Sequence, residues 1–504
     1  MVACLQSYVP GSAGQEEVKM KPLVHIGVLL VLVLFASPAV ATDVSGDQSG
    51  TWTFDQSPYY LVGDVRVPPG ETLIIEPGVE VIALGHYKLL VDAAATLLAV
   101  GTADQPILMT AEDHGTGWRG IRMESADDSS VISYCTIEYA KGTGGFPEVR
   151  GGAIFCKNCS PAISQNVLRY NYSHNSNYNG TGAGVTTESS NALILNNLIH
   201  DNQADSGGGV CCMEYGTPLV LGNVITDNTA YNGGGGIYMG ARSSPTIERN
   251  VIVGNNSSGW GGGGINSWTS YIFYGTFATI RDNFIIENTT NKAGGGLYCR
   301  YDRAVIAGNT IAYNYAGSGA YAGGGGIYAL NQGYSAPQVS NCVLWGNTSA
   351  LGAQIRLEPE TGSLIVVSYS DVQDGWDGTG NMDQDPVFVG PDIGDYHLSA
   401  DSPCIDAGDP YFTPQPDERD IDGQERLWDG DGDDNRVVDM GCDEFGSRIP
   451  GDLNGDGCVD QADLGILLAD WGCQSDCVGD LDFDDDTDQG DLGILLANWG
   501  AGCP

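Results

Sequence analysis

A short acidic stretch near the C-terminus has the composition and spacing of a cation-binding loop. In "DLNGDGCVDQAD" (452–463), oxygen-bearing side chains occupy positions 1, 3, 5, 9 and 12, and Gly457 stands where such a loop turns sharply. Hard cations such as Ca2+ take about six to eight oxygen ligands from loops of this kind. The spacing predicts a calcium site formed by Asp452, Asn454, Asp456, the carbonyl of Cys458, Asp460 and Asp463.

A second acidic loop, "DLDFDDDTDQGD" (480–491), repeats the pattern less completely. It has Asp485 at the position of Gly457, and an L-residue reaches positive φ only at a cost that glycine avoids. We therefore predict a weaker calcium site, formed by Asp480, Asp482, Asp484, Asp488 and Asp491.

A duplicated apolar segment follows each loop. "DLGILLADWG" (463–472) returns as "DLGILLANWG" (491–500), and the first copy places Leu464, Leu467, Leu468 and Trp471 at the spacing of one helical face. Two tandem loops without an entering helix, each with Asp at position 12, resemble a type I dockerin domain. The resemblance implies a calcium-dependent domain over 450–504 that binds a cohesin-like module on a scaffold or surface protein. Four cysteines predict disulfides of open connectivity: Cys458, Cys473, Cys477 and Cys503.

The larger part of the chain is a repeat of two short strings. Glycine-rich strings such as "GGGGIYM" (233–239) and "AGGGLYC" (293–299) alternate with strings such as "IERNVIVGN" (247–255). Short alternating β strings recurring about every 30 residues are typical of a solenoid. The prediction is an all-β right-handed parallel β-helix over 42–385, followed by the small α-helical domain. The first asparagine of each second string should form an internal amide ladder: Asn166, Asn197, Asn223, Asn250, Asn283 and Asn309.

The same alignment places most cysteines inside the solenoid. Cys135 and Cys342 extend the asparagine column at its two ends, and the second inward position after the glycines includes Cys156, Cys212 and Cys299. We interpret these thiols as small buried core residues. The upstream turns "EPGVEV", "AVGTAD" and "GWRGIRM" resemble the opening coils of secreted right-handed β-helix proteins, a resemblance that implies the fold and no reaction.

Aromatic side chains recur on the predicted outer face of the glycine-flanked strands. The column includes Tyr238, Tyr298 and Tyr328, with Trp268 two positions beyond Asn266. Rings spaced by one or two coils can stack on successive sugars, so these four residues are candidate polysaccharide ligands. The alternative is a stack that only stiffens the sheet.

An enzyme is the other hypothesis, because β-helices include polysaccharide lyases and glycoside hydrolases that break down polysaccharides. The polygalacturonase motifs "NTD", "GHG" and "RIK" are absent. The outward charged candidates, namely Lys157, Glu188, Glu214, Arg300 and Asp302, come from different coils, and a solvated surface explains them. His200 is interpreted as a turn residue. No catalytic residue is assigned.

Residues 386–446 lose the repeat and resemble the surface-anchoring module that often ends bacterial β-helix proteins. Cys404 and Cys442 are its only cysteines, and pairing is expected after export. The "DGDGDD" run (429–434) is compatible with calcium and equally with a solvated acidic loop.

The N-terminus predicts export. Lys21, an apolar run from Leu23 to Phe35 and "AVA" before Thr42 form a signal peptide over 1–41, with Met20 as an alternative start. The net charge of −43 disfavours nucleic acid and anionic membranes as partners and favours calcium as a counterion. We expect a secreted or cell-surface protein without a transmembrane segment in its mature form.

Overall fold

The computed structural model describes residues 41–504 apart from short gaps, so the predicted signal peptide over 1–41 lies almost wholly outside the described residues. The gaps are residues 241, 269–276, 318–321, 332–335, 359–361, 417, 433–434, 447–448, 455–457, 474–476, 482–485 and 502–504.

The described chain forms the predicted right-handed parallel β-helix, in which each strand pairs in parallel with its counterpart one coil away. The glycine-flanked sheet contains Leu89–Val91, Ile121–Glu124, Ile154–Lys157, Val185–Glu188, Val210–Met213, Ile237–Met239, Ile265–Trp268, Leu297–Arg300, Ile327–Leu330 and Ile355–Leu357. The second sheet contains Gly50–Trp52, Thr72–Ile75, Thr96–Val100, Val131–Ser133, Ala162–Ser164, Leu193–Leu195, Leu219–Leu221, Thr246–Glu248, Thr279–Arg281, Val305–Ala307, Gln338–Ser340 and Val366–Ser368.

Two further ranks of strands complete each coil. The third rank contains Glu80–Ala83, Ile107–Ala111, Cys135–Glu138, Val167–Arg169, Leu198–His200, Val224–Thr226, Val251–Val253, Phe284–Ile286, Thr310–Ala312, Val343–Trp345 and Asp371–Val372. The fourth contains Lys141–Gly142, Tyr172–Ser173, Gln203–Ser206, Thr229–Gly233, Asn256–Ser257, Thr289–Thr290 and Tyr315–Ala316. The longer first strands, Thr42–Asp47 and Tyr59–Val67, join the glycine-flanked and third ranks at the N-terminal end.

Glycine is required where each coil turns from the fourth rank into the glycine-flanked sheet. Gly262 has φ +66°, a conformation that L side chains rarely adopt. A Cβ on Gly263 would lie 2.5 Å from the carbonyl oxygen of Gly295 in the next coil. The glycine string is therefore a corner at which backbones of neighbouring coils touch.

The predicted asparagine ladder is present, and a second ladder runs beside it. In the first, Asn250 Nδ2 donates to Asn283 Oδ1 at 2.9 Å, and its own Oδ1 accepts from Asn223. Cys135 and Cys342 end this ladder as predicted. The second ladder uses the later asparagine of each string: Asn171, Asn202, Asn228, Asn255, Asn288, Asn314 and Asn347.

Replacing Asn250 by alanine should lower the free energy of unfolding by about 3 kcal/mol or more, because it leaves several buried peptide groups without a partner. These include the Val220 carbonyl and the Asn223 amide. Asn256→Ala is the matched control, since that half-buried side chain donates only to Thr289 Oγ1. Urea denaturation measures both variants, and equal midpoints would mean that the ladder adds no stability.

The cysteine interpretation is confirmed for the solenoid and wrong for the following segment. Cys156, Cys212 and Cys299 are buried free thiols in the core. Cys404 and Cys442, expected to pair, are also free. Their sulfur atoms have different partners, because Cys404 Sγ lies 3.6 Å from Asp371 Oδ2 and Cys442 Sγ lies 3.4 Å from Thr310 Oγ1.

Residues 386–446 pack on the outer face of the third rank rather than standing apart from it. They contain one antiparallel pair, Phe388–Gly390 with Asp395–Leu398, and otherwise turns. Phe284, Ala312 and Val343 of the solenoid form an apolar cluster with this segment. The segment is also held by polar contacts, such as Tyr396 Oη to Glu287 Oε1 at 2.6 Å. It therefore acts as a strap over several coils.

The tail contains two short α-helices, α1 (Gln461–Ala469) and α2 (Gln489–Ala497). Two 3-10 turns, Phe54–Gln56 and Pro391–Ile393, complete the helical content of the described ranges. Within those ranges no helix has the length and apolar character needed to span a membrane.

Candidate functional site

Each acidic loop folds around its last aspartate. Asp463 is fully buried, its Oδ1 accepts the amides of Leu453 and Asn454 at 2.9 and 3.1 Å, and its Oδ2 accepts the amide of Asp460 at 2.7 Å. Asp491 repeats this arrangement with Leu481 and Asp488 in the second loop. The twelfth-position carboxylates are thus fixed inside the loops, where a loop-bound cation requires them.

In the second loop, a carboxylate that the sequence pattern did not include lies close to two of the predicted ligands. One oxygen each of Asp486, Asp488 and Asp491 lies within 4.8 Å of the others. Asp486 stands at position 7, where only a backbone ligand was expected. Three converging anionic groups fit a hard cation such as Ca2+. Four aspartates of the two loops lie outside the described residues, namely Asp456, Asp482, Asp484 and Asp485.

The predicted helical face is divided between a small core and the surface. Leu467 and Leu495 are buried with Val459 between the two helices. Leu468 and Trp471 were expected on the same face but are 55% and 44% exposed, and Leu496 and Trp499 repeat this exposure in α2. The small core takes one leucine of each helix together with Val459, and a leucine in each helix and a tryptophan just after it stay partly exposed.

Disulfides occur in the tail, as the cysteine count predicted. Cys473 and Cys477 are bonded, with their Cα atoms 5.6 Å apart, and Cys458 is also disulfide-bonded. Cys503 lies outside the described residues. The Cys473–Cys477 bridge lies between α1 and the second loop along the chain.

The aromatic column on the glycine-flanked sheet exists, but its tyrosines are not exposed. Tyr238, Asn266, Tyr298 and Tyr328 occupy one register, and the Tyr298 and Tyr328 rings stack at 5.5 Å. Tyr298 and Tyr328 are only 6% and 2% exposed, and Tyr238 is half-buried. Burial raises the pKa of Tyr298 to about 12.

The expectation of outward, accessible tyrosine rings is therefore wrong. Ala293, which precedes the glycine corner of the same coil as Tyr298, packs with Tyr298 and Tyr328 in one buried cluster. On the other side, a Cβ on Gly261 of the preceding coil would lie 3.1 Å from the Tyr298 ring. Alanine substitution of these tyrosines would remove packed core area, so it cannot report on sugar binding alone.

An accessible aromatic and cationic group remains beside this stack. Trp268 is half-buried, its ring lies 6.0 Å from that of Trp260, and Trp260 is 60% exposed. The guanidinium of Arg300 lies 3.9 Å over Trp268, and Lys292 Nζ lies 5.5 Å from the Trp260 ring. We name these four residues the tryptophan patch. Trp260 and Lys292 had no place in the sequence pattern, because they precede their glycine corners.

The predicted charged candidates do not form a paired-carboxylate site. Lys157 lies between Glu124 and Glu188 in the register, so no two carboxylates are adjacent in that column. Glu188 is bonded by Arg150 at 2.5 Å and by Lys157 at 3.0 Å. Burial by itself raises the pKa of Glu188, but the bonds from Lys157 and Arg150 outweigh it and lower the pKa.

The remaining candidates are dispersed. Glu214 lies in the turn after the strand Val210–Met213, and Asp302 is buried after the strand Leu297–Arg300, three coils further on. His200, interpreted from the sequence as a turn residue, is instead the last residue of the strand Leu198–His200, and its Nδ1 lies 2.8 Å from Asp201 Oδ2. In the "DGDGDD" run, one oxygen each of Asp429 and Asp431 lies within 4.8 Å of Asp406.

Comparison with known proteins supports the fold. Residues 119–266 match the family described as right handed beta helix region. No curated protein matches this chain. Among solved structures, the crystal structure of pectate lyase Pel9A aligns with a TM-score of 0.37 and 11% identity, covering 73% of this chain and 88% of that one. Similarity at this level transfers no activity.

Proposed function

We propose that this chain is an exported protein that binds extracellular or cell-surface polysaccharide on its solenoid and is tethered by its tail. The proposed binding of polysaccharide rests on one observation, the tryptophan patch. Indole faces stack on the apolar faces of sugar rings, and neighbouring cations supply hydrogen-bond donors for sugar oxygens. Arg300 is half-buried over the Trp268 ring, where its guanidinium would donate to a sugar oxygen.

The tail is proposed to be the tether. Two duplicated acidic loops would hold Ca2+ through the ligands predicted above, with Asp463 and Asp491 already oriented. Binding the cation would fix α1 and α2, which carry the exposed Leu468 and Leu496 and are each followed by an exposed tryptophan, Trp471 or Trp499. Exposed apolar residues on a fixed helix suit a protein partner, and the dockerin resemblance makes that partner a cohesin-like module.

The alternative proposal is a polysaccharide lyase or glycoside hydrolase. General acid catalysis by a carboxyl group needs a raised pKa, whereas the pKa of Glu188 is lowered by its two cationic partners. Glu188 is therefore not suited to act as the general acid of a hydrolase. An assay for reducing ends and unsaturated products on uronic-acid and neutral polysaccharides distinguishes the two.

Replacing both Trp260 and Trp268 by alanine should weaken retention in polysaccharide-containing gels by about tenfold, because two stacking surfaces are lost. Affinity electrophoresis on xylan, galactomannan and polygalacturonate measures the effect. Tyr411→Ala is the matched control, since that ring is 86% exposed on the 386–446 segment. Equal retention of the double variant and the wild type, with both folded by circular dichroism, would exclude the patch.

A further inference from the structure

A histidine beside the fourth rank of strands is held by a buried carboxylate. His174 Nδ1 lies 2.5 Å from Asp205 Oδ1, and Asp205 is fully buried. The other oxygen of Asp205 accepts the amides of Gly180 and Asn175 at 2.7 and 3.3 Å. Both carboxylate oxygens are thus used to position the imidazole and the 174–180 loop that carries it.

This contact determines which ring nitrogen faces a ligand. A carboxylate opposite Nδ1 places the proton of a neutral imidazole on that nitrogen, so Nε2 is the acceptor. Within the described part of the chain, no hydrogen bond reaches Nε2 of His174, whose side chain is 26% exposed. The result is an oriented acceptor at the surface.

Three tyrosine rings surround this acceptor. The ring centroids of Tyr172, Tyr178 and Tyr231 lie 5.8, 5.6 and 4.9 Å from that of His174. Tyr178 is 57% exposed, and the hydroxyl of Tyr231 is held by Gln203 Nε2 at 2.9 Å. Aromatic walls around a hydrogen-bond acceptor match a pyranose ring, which presents apolar C–H faces and hydroxyl donors.

The histidine group lies on the same side of the solenoid as the tryptophan patch. Asn232 Nδ2 donates to the carbonyl of Tyr178 at 3.2 Å, and the carbonyl of Asn232 accepts the amide of Trp260. One residue therefore links the loop that carries Tyr178 to the loop that carries Trp260. A saccharide chain lying along the solenoid axis would pass from one group to the other.

We propose that His174, Tyr172, Tyr178 and Tyr231 form a second sugar subsite, in which Nε2 of His174 accepts a hydrogen bond from a hydroxyl of a neutral pyranoside. The proposal rests on the proposed function only in taking the ligand to be a polysaccharide. Arg300 and Lys292 make the tryptophan patch cationic, whereas this subsite offers an acceptor and aromatic faces. The tryptophan patch and the histidine subsite would therefore recognise different groups of the sugar chain.

The test is His174→Phe, which keeps an aromatic ring and removes both the Nε2 acceptor and the Nδ1 bond to Asp205, assayed by affinity electrophoresis in xylan, galactomannan and hydroxyethyl cellulose gels. Loss of the hydrogen bond from the sugar hydroxyl should weaken retention about fivefold. His200→Phe is the matched control, because His200 also pairs with an aspartate but belongs to neither the tryptophan patch nor the histidine subsite. Folding of each variant is checked by circular dichroism.

The outcomes separate the two proposals. Weaker retention of His174→Phe, with His200→Phe unchanged, supports the subsite even if the Trp260 and Trp268 variant binds normally. Unchanged retention of His174→Phe alongside a weakened tryptophan variant overturns the subsite and leaves the proposed function standing. A wild-type protein retained in none of the gels overturns both.

Discussion

Replacing Arg426 by methionine should lower the free energy of unfolding by about 3–5 kcal/mol, because two buried carboxylates would lose their cation. Arg426 is 2% exposed. Its Nε lies 3.2 Å from Asp282 Oδ1 of the solenoid, and its Nη1 lies 3.1 Å from Glu444 Oε2 of the strap. Burial raises the pKa of both carboxyl groups, and Arg426 opposes that rise. The ion pair therefore joins the 386–446 strap to the solenoid.

Thermal denaturation and limited proteolysis measure this effect. The strap of the variant should be cleaved well before the solenoid, since the removed contact holds the two together. Arg66→Met is the matched control, because Arg66 bonds Asp92 at 2.6 Å but is 43% exposed, and pairs at the surface contribute about 1 kcal/mol or less. If both variants unfold at the same temperature, the buried pair does not fasten the strap.

Stripping calcium should unfold the tail and leave the solenoid intact. Thirteen aspartates and no lysine or arginine lie within residues 451–504. Their carboxylates repel one another unless a cation neutralises the charge of the loops. Among the described apolar residues of the tail, three are fully buried, namely Val459, Leu467 and Leu495. Because so little apolar area is buried, metal binding should supply much of the folding free energy. Addition of calcium should restore protease resistance and helix content.

The two loops should differ in affinity, with 452–463 the tighter. Asp452→Ala combined with Asp456→Ala removes two ligands and should abolish the tight site in isothermal titration of the full chain. Asp43→Ala with Asp55→Ala removes the same charge at the other end of the solenoid and should leave calcium binding unchanged.

A tail equally resistant to protease in chelator would show that its disulfides and leucines are sufficient to fold it without metal. The same titration with a cohesin-like module tests whether partner binding requires calcium.

The sequence by itself determined the solenoid. Its register is visible in the asparagine column and the glycine corners, because every coil places the same residue against itself. Asn250 meets Asn223 and Asn283 in the structure as the alignment requires. The strings also predicted the buried thiols, since a position that faces the core in one coil faces it in all. The sequence repeat is sufficient to predict these contacts, because each residue contacts its counterpart one repeat away.

Only the tertiary structure decided which side chains are accessible. Tyr298 and Tyr328 have the alternating spacing of outward residues, yet chain outside their strands covers them. Trp260 and His174 lie on loops of varying length, where no periodicity constrains them. Trp268, the partner of Trp260, lies at the far end of the strand that follows the same glycine corner, and Asp205, the partner of His174, lies one coil away. The path of the 386–446 strap could not be predicted from the sequence either, because its contacts with Asp282 and Thr310 join residues more than 100 positions apart. Repetition fixes the position of a residue within its coil, whereas exposure depends on irregular segments whose paths are set by packing.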